Sequence, residues 1–200
     1  MNEKFYNLSK EKQDRMINAA IKVFAQNGYL RASTDIMIKE ANVSKGLLFH
    51  YFESKKGLYS FVLEYSARYM MMELGAGMND STKNIFERIE MAEQCKIRML
   101  QNYPYLDLFL INIQGENDPD VAEEAARWSA ELKETIKGLI DEKSDPDLIR
   151  GNLSIEEARE IVSLTMDGYK NKAYRLGTDP EEVLKGFLPY LEILKNNMTR

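Results

Sequence analysis

A chain of 200 residues that is 44% hydrophobic, with only five Pro, eleven Gly and a net charge of −5, has the makings of a helical globular protein with a sizeable core. One cysteine (Cys95) excludes an internal disulfide framework, and one histidine (His50) excludes a two-histidine metal site or a histidine triad in the body of the protein. No signal-peptide pattern opens the chain and no run approaches the ~20 apolar residues of a membrane span, so a cytoplasmic protein with no membrane partner is expected.

The charge is unevenly spread. Residues 1–60 carry +4 and residues 61–200 carry −9. A basic head on an acidic body predicts that the head meets a polyanion.

In chain order, Met16, Ala19, Ala20, Val23 and Phe24 share one face of a helix predicted from Lys10 to Gln26, with Ser9 before it and Asn27-Gly28 ending it. A second helix starts at Thr34 or Ser33 and ends near Ala41-Asn42, where Asn tolerates a left-handed turn. Ser44 caps a third, through about Tyr51. Met37, Ala41, Val43, Leu48 and Phe52 are spaced to form a small core between these two helices. Ser54 caps a fourth helix reaching about Leu74. Further helices are expected over Ser81–Asn102, from Pro104 to Gln114, and from Val121 to Glu142. The last two run from a Ser154/Glu157 capping box to near Gly177, and onward from Asp179-Pro180. This makes an all-α fold of about nine helices.

Two short helices joined by a tight turn form a helix-turn-helix, which lays its second helix in the major groove of DNA. Here that helix directs Lys45, Gly46, Leu47, Phe49 and His50 outward. Lys45 reaches a guanine edge or a phosphate. Gly46 permits close backbone approach, Leu47 and Phe49 suit thymine methyls, and His50 and Tyr51 suit phosphates. Ser44 caps this helix, and Thr34 and Lys55 stand at the starts of the helices on either side, where the dipole attracts anions. The competing expectation is an all-helical protein-interaction module with no DNA partner.

The string Val43-Ser-Lys-Gly-Leu-Leu-Phe-His-Tyr-Phe-Glu-Ser-Lys-Lys-Gly-Leu-Tyr59, with Ala19-Ala-Ile-Lys-Val-Phe-Ala-Gln-Asn-Gly-Tyr29 before it, closely resembles the signature of the TetR family of bacterial transcriptional regulators. Asn42 stands where that family usually has Gly, and Ile38 where it often has Ala. The resemblance implies a three-helix DNA-binding domain over 1–54 and a larger helical ligand-binding and dimerisation domain over 55–200. It implies a homodimer through the last two helices on a near-palindromic, double-stranded operator, most often as a repressor. The candidate dimer faces are residues 155–175 and 180–195, where the apolar rows Ile161/Leu164/Met166 and Leu184/Phe187/Leu188/Leu191 suit either a partner or the chain's own core.

The family also implies release by a small hydrophobic or aromatic effector. Candidate lining residues are Phe61, Tyr65, Tyr69, Phe86, Met99, Tyr103, Phe109, Trp128, Met166 and Tyr169. Each is also the kind of residue that fills an ordinary core. No catalytic constellation, cofactor motif or metal-ligand spacing is present. Asp118, Asp120, Glu123 and Glu124 depart from a calcium loop, and Cys95 reads as a buried structural thiol.

Overall fold

The computed structural model describes residues 3–151 and 153–200. Among them it contains ten α-helices, two 3₁₀ turns and one isolated backbone bridge, Ile149 to Thr199. The all-α expectation is met. The helices are α1 (Glu3–Tyr6), α2 (Lys10–Arg31), α3 (Thr34–Ala41), α4 (Lys45–Phe52), α5 (Lys55–Gly77), α6 (Ile85–Leu100), α7 (Leu106–Asn112), α8 (Ala122–Asp141), α9 (Ile155–Arg175) and α10 (Pro180–Met198).

By packing, the chain divides into two compact units: residues 1–69 with 103–132, and residues 70–102 with 133–200. The functional boundary expected at 54/55 falls inside the first unit.

In the first unit α2 is central and packs on α3 and α7. Phe24 lies between Tyr59 and Phe109, with ring centroids at 4.9 and 6.3 Å. Helix α1, absent from the sequence expectation, buries Phe5 completely against Phe52 and Phe61. Gln13 holds the α1–α2 turn by donating to the carbonyls of Tyr6 and Leu8. Gly28, at φ 67°, interrupts the helical geometry of α2 where the sequence placed its end. The amide of Tyr29, freed from the helical ladder there, donates to Glu116 Oε2 at 2.9 Å. Glu116 Oε1 accepts from the amides of Asn117 and Asp118, so one carboxylate closes this loop.

In the second unit α10 packs on α6 and α9 around Ile85, Phe86, Ile89, Val162, Phe187 and Leu191. Helix α6 begins at Ile85, capped by Asn84, rather than at Ser81 as the sequence suggested. Asn84 Oδ1 accepts from the amides of Phe86 and Glu87, while its Nδ2 donates to Thr199 Oγ1. The capping box at α9 forms as expected: Ser154 Oγ accepts from the Glu157 amide and Glu157 Oε2 accepts from the Ser154 amide. Asp179 caps α10, with Pro180 in its first turn.

Of the apolar row Leu184/Phe187/Leu188/Leu191, three members are the chain's own core: Leu184, Phe187 and Leu191 are each at most 2% exposed. Phe187 and Leu191 pack in the cluster with Ile85, Phe86, Ile89 and Val162, and all three are too buried to offer a side chain to a partner. The apolar groups that do face outward on α9 and α10 are Leu164 (64% exposed), Ile193 (59%) and Tyr190 (48%).

Candidate nucleic-acid interface

The turn between α3 and α4 is set by two residues. Asn42 adopts φ 51°, ψ 54°, and its amide returns to the carbonyls of Ile38 and Lys39. A side-chain amide makes this left-handed position tolerable without glycine. Ser44 then caps α4, its Oγ accepting from the Leu47 amide at 3.2 Å. Met37 and Ala41 of α3 and Leu48 and Phe52 of α4 are buried, as the spacing predicted, while Val43, expected with them, is half-buried in the turn. Ile38 is half-buried, and its backbone carbonyl also accepts from Val43. Lys22 ties α2 to α3 through Glu40, with both carboxylate oxygens within 2.9 Å.

The opposite side of α4 carries the predicted contact residues. Ser44, Lys45, Gly46 and His50 are exposed, and Leu47, Phe49 and Tyr51 are half-buried. Tyr51 rests edge-on against Phe5 at 5.8 Å and against the His50 ring at 5.0 Å. A methyl group built on Gly46 would meet no protein atom within 4 Å, so nothing in this chain's own packing requires glycine there. Thr34 is the first residue of α3, half-buried, and the cap position before it is Ser33, whose side chain makes no capping hydrogen bond.

Two predicted cations have protein partners. Lys45 Nζ lies 3.2 Å from Asp35 Oδ1. Lys55 Nζ donates to the carbonyls of Tyr29 and Leu30, at 2.9 and 3.1 Å, and sits 4.5 Å from the Tyr29 ring centroid. Lys55 thus caps the carboxyl end of α2 electrostatically.

The ten expected effector residues are split between the units. Phe61, Tyr65, Tyr69, Tyr103, Phe109 and Trp128 belong to the first, and Phe86, Met99, Met166 and Tyr169 to the second. Phe61, Tyr65 and Tyr69 stack in sequence along α5, and Tyr103 stands edge-on to the last two. Phe109 is core against Phe24 and Tyr59. Trp128 is buried, with the guanidinium groups of Arg68 and Arg127 5.3 and 5.0 Å from its ring, and its Nε1 has no hydrogen-bond acceptor among the described residues. Phe86, Met166 and Tyr169 join the apolar cluster of the second unit. A hollow of about 500 Å³ in that unit is lined by Gly77, Asn79, Ser81, Thr82, Glu87, Glu90, Met91, Gln94, Arg98 and Lys195, none of them among the ten.

Several charged side chains are buried in the second unit. Arg88 is 2% exposed and donates to four carbonyls, those of Asn79, Thr82, Leu139 and Ile140. Glu93 is buried with Lys96 at 2.6 Å and Lys170 at 3.2 Å. Burial alone would raise the Glu93 carboxyl, but Lys170 and then Lys96 outweigh it and hold the pKa down at about 2. Cys95 is buried, as expected, and Arg98 Nη2 donates to its sulfur at 2.9 Å. Among the described residues no three His, Cys, Asp or Glu side chains converge to hold a metal ion, and no helix is long and apolar enough to cross a membrane.

A capped, left-handed turn between two short helices, the second exposed along one side, is the arrangement of a helix-turn-helix. The family model described as bacterial regulatory proteins, tetR family, matches residues 16–60, the segment from the middle of α2 into α5. Residues 16–60 thus carry the segment that defines the tetR family of bacterial regulatory proteins.

The chain is 43% identical over 56 residues to the HTH-type transcriptional regulator YuxN of Bacillus subtilis, covering 28% of this chain and 19% of that protein. It is 31% identical over 114 residues to IcaR of Staphylococcus aureus, the HTH-type negative transcriptional regulator of the biofilm operon icaADBC, covering 52% of this chain and 60% of that protein. The match therefore spans about a fifth and three fifths of these two relatives. A TetR family regulator from Chloroflexus aurantiacus has the same fold, with a TM-score of 0.63, 21% identity and 99% and 98% of the two chains covered. So does the transcriptional regulator FadR of Bacillus subtilis, in complex with stearoyl-CoA, with a TM-score of 0.57, 16% identity and 90% and 96% covered.

Proposed function

We propose that this chain is a ligand-responsive transcriptional repressor that acts in the cytoplasm, binds a near-palindromic operator as a homodimer, and releases it on taking up a small hydrophobic or aromatic effector. The observation that carries the DNA-binding part is the outer side of α4. It presents an exposed cation, an open glycine and half-buried apolar side chains, while the inner side is locked by Met37, Ala41, Leu48 and Phe52. Lys45, Leu47, Phe49, His50 and Tyr51 are assigned to base and phosphate contacts, with the amides at the starts of α3 and α4 (Thr34 and Ser44) facing phosphates. The free space at Gly46 leaves room for a DNA backbone or base edge. Lys55 acts from behind, holding the end of α2. Residues 1–54 form the reading domain and 55–200 the ligand-binding and dimerisation domain.

Repression is supported by the negative regulator IcaR among the relatives, and effector control by stearoyl-CoA in the FadR neighbour. Exposed Leu164, Tyr190 and Ile193 supply an apolar surface on the last two helices for a second copy. The aromatic row Phe61, Tyr65, Tyr69 and Tyr103 supplies ring faces for an effector.

The test is a selection of duplexes from a random pool by the purified protein, followed by fluorescence anisotropy on the selected site. Light scattering of the free protein gives its subunit number. Selection of a site with two-fold symmetry and a dimeric mass are expected. A monomer that retains no duplex at low salt overturns the reading and leaves the protein-interaction module in its place.

A further inference from the structure

Asp35 stands in the first turn of α3, and its Oδ1 lies 3.2 Å from Lys45 Nζ at the start of α4. Both side chains are more than half exposed. An exposed pair of this kind contributes little to stability. It also places a carboxylate beside the cation at the start of α4, where it weakens attraction to any phosphate. The pair is poorly suited to holding the fold or to gripping a DNA backbone. What it does offer is a donor and an acceptor side by side on the reading surface.

That pattern has a complement in the major groove. A G·C pair presents two acceptors, guanine N7 and O6, next to a single donor, the cytosine N4 amino group. An A·T pair places its amino donor between two acceptors, adenine N7 and thymine O4, so a carboxylate there faces lone pairs on both sides. We propose that Asp35 and Lys45 read one G·C pair together in each half-site, Lys45 donating to guanine and Asp35 accepting from the cytosine amino group. This rests on the DNA-binding reading above. Pairing with Asp35 also neutralises Lys45 away from its site, so the same carboxylate that recognises cytosine restrains binding to unrelated DNA.

The experiment uses the full-length protein and its Asp35→Asn, Asp35→Ala, Lys45→Ala and double Asp35→Ala/Lys45→Ala variants, each carried through selection from a random duplex pool and then titrated on the wild-type site and on random duplex. The wild type is expected to select a G·C pair at one fixed position of each half-site. Both Asp35 variants should lose discrimination at that position by roughly tenfold or more, while their affinity for random duplex rises because a negative charge has gone. Lys45→Ala should lose the same position, and the double variant should lose no more than the single ones. Asp35 variants with an unchanged base profile, differing only by a uniform gain on every sequence, overturn the proposal while leaving DNA binding intact. A wild type that selects no sequence at all overturns both.

Discussion

The phenol of Tyr103 donates to Asp14 Oδ1 at 2.9 Å, joining residues 89 positions apart in the chain. Since its one proton goes to Asp14, the 2.6 Å contact with Tyr65 is a bond that Tyr65 donates. Asp14 also accepts from Lys10. Four side chains thus link the start of α2, the middle of α5 and the segment before α7 in the first unit. Replacement of Tyr103 by Phe keeps the ring contacts with Tyr65 and Tyr69 and removes only the hydroxyl. It is expected to cost about 1.5 kcal/mol in denaturant unfolding, the lower end for a bond to a charged acceptor because Asp14 is partly solvated.

Alkaline titration gives a second check on the same residue. Desolvation, then hydrogen bonding to Tyr65 and Asp14, pushes the Tyr103 phenol well above its ordinary value, and burial does the same for Tyr59. A folded pKa above the unfolded one means the native state retains protons that the unfolded chain releases. Stability should therefore fall as pH rises past about 10. Phenolate absorbance should show two tyrosines that ionise only on unfolding.

Arg88 is expected to be a sensitive charged position in the second unit. Its guanidinium satisfies two carbonyls at the carboxyl end of α8 and two in the 79–82 loop. Arg88→Met removes a donor from all four acceptors, of which Ile140 keeps the Ser144 hydroxyl, and should cost about 3 kcal/mol. Lys cannot reproduce the planar fork, so Arg88→Lys should recover less than half of the loss in thermal denaturation.

Glu93→Gln removes the carboxylate charge that lies against both Lys96 and Lys170. Truncating one side of a buried ion cluster costs roughly 3–5 kcal/mol. The pH profile distinguishes this from a simple packing defect. With a folded pKa of about 2 against roughly 4.3 unfolded, the unfolded state binds the extra proton, so the wild type loses stability as pH falls from about 4 to 2. The variant should lack that contribution, so the two stabilities converge as the pH is lowered.

Two glycines should behave differently although both are crowded. A Cβ at Gly57 would lie 2.1 Å from the backbone oxygen of Phe52, which closes the α4–α5 turn and cannot move without disturbing α4. A Cβ at Gly186 would lie 2.0 Å from the hydroxyl of Tyr169, the tip of a side chain that can swing aside. Gly57→Ala should therefore cost about 3 kcal/mol and abolish operator binding. Gly186→Ala should stay nearer 1 kcal/mol and leave binding unchanged.

Local signals were legible in the sequence because short-range bonds satisfy them. Asn42, Ser44 and the Ser154/Glu157 box each act within a few residues, and each stands where the pattern placed it. The start of α6 was misread because Ser81 is as competent a cap by type as Asn84. The structural cap is Asn84, which is also bonded to Thr199, 115 residues away. Helix α1 is four residues long, too short for any periodicity. The rows on α10 are apolar for either a core or a partner, and periodicity cannot tell which. Arg88, Glu93, Lys96 and Lys170 are of types normally left in water, so nothing in the string marks their burial.

The first unit is assembled from chain segments that lie 33 residues apart, 1–69 and 103–132. Phe24, at the back of the reading head, therefore acquires its Phe109 neighbour only after the nascent polypeptide has extended well past the intervening stretch. During synthesis the head cannot finish packing when its own last residue leaves the ribosome. A fragment cut at residue 54 would likewise expose the apolar flank of α2 that Tyr59 and α7 otherwise cover.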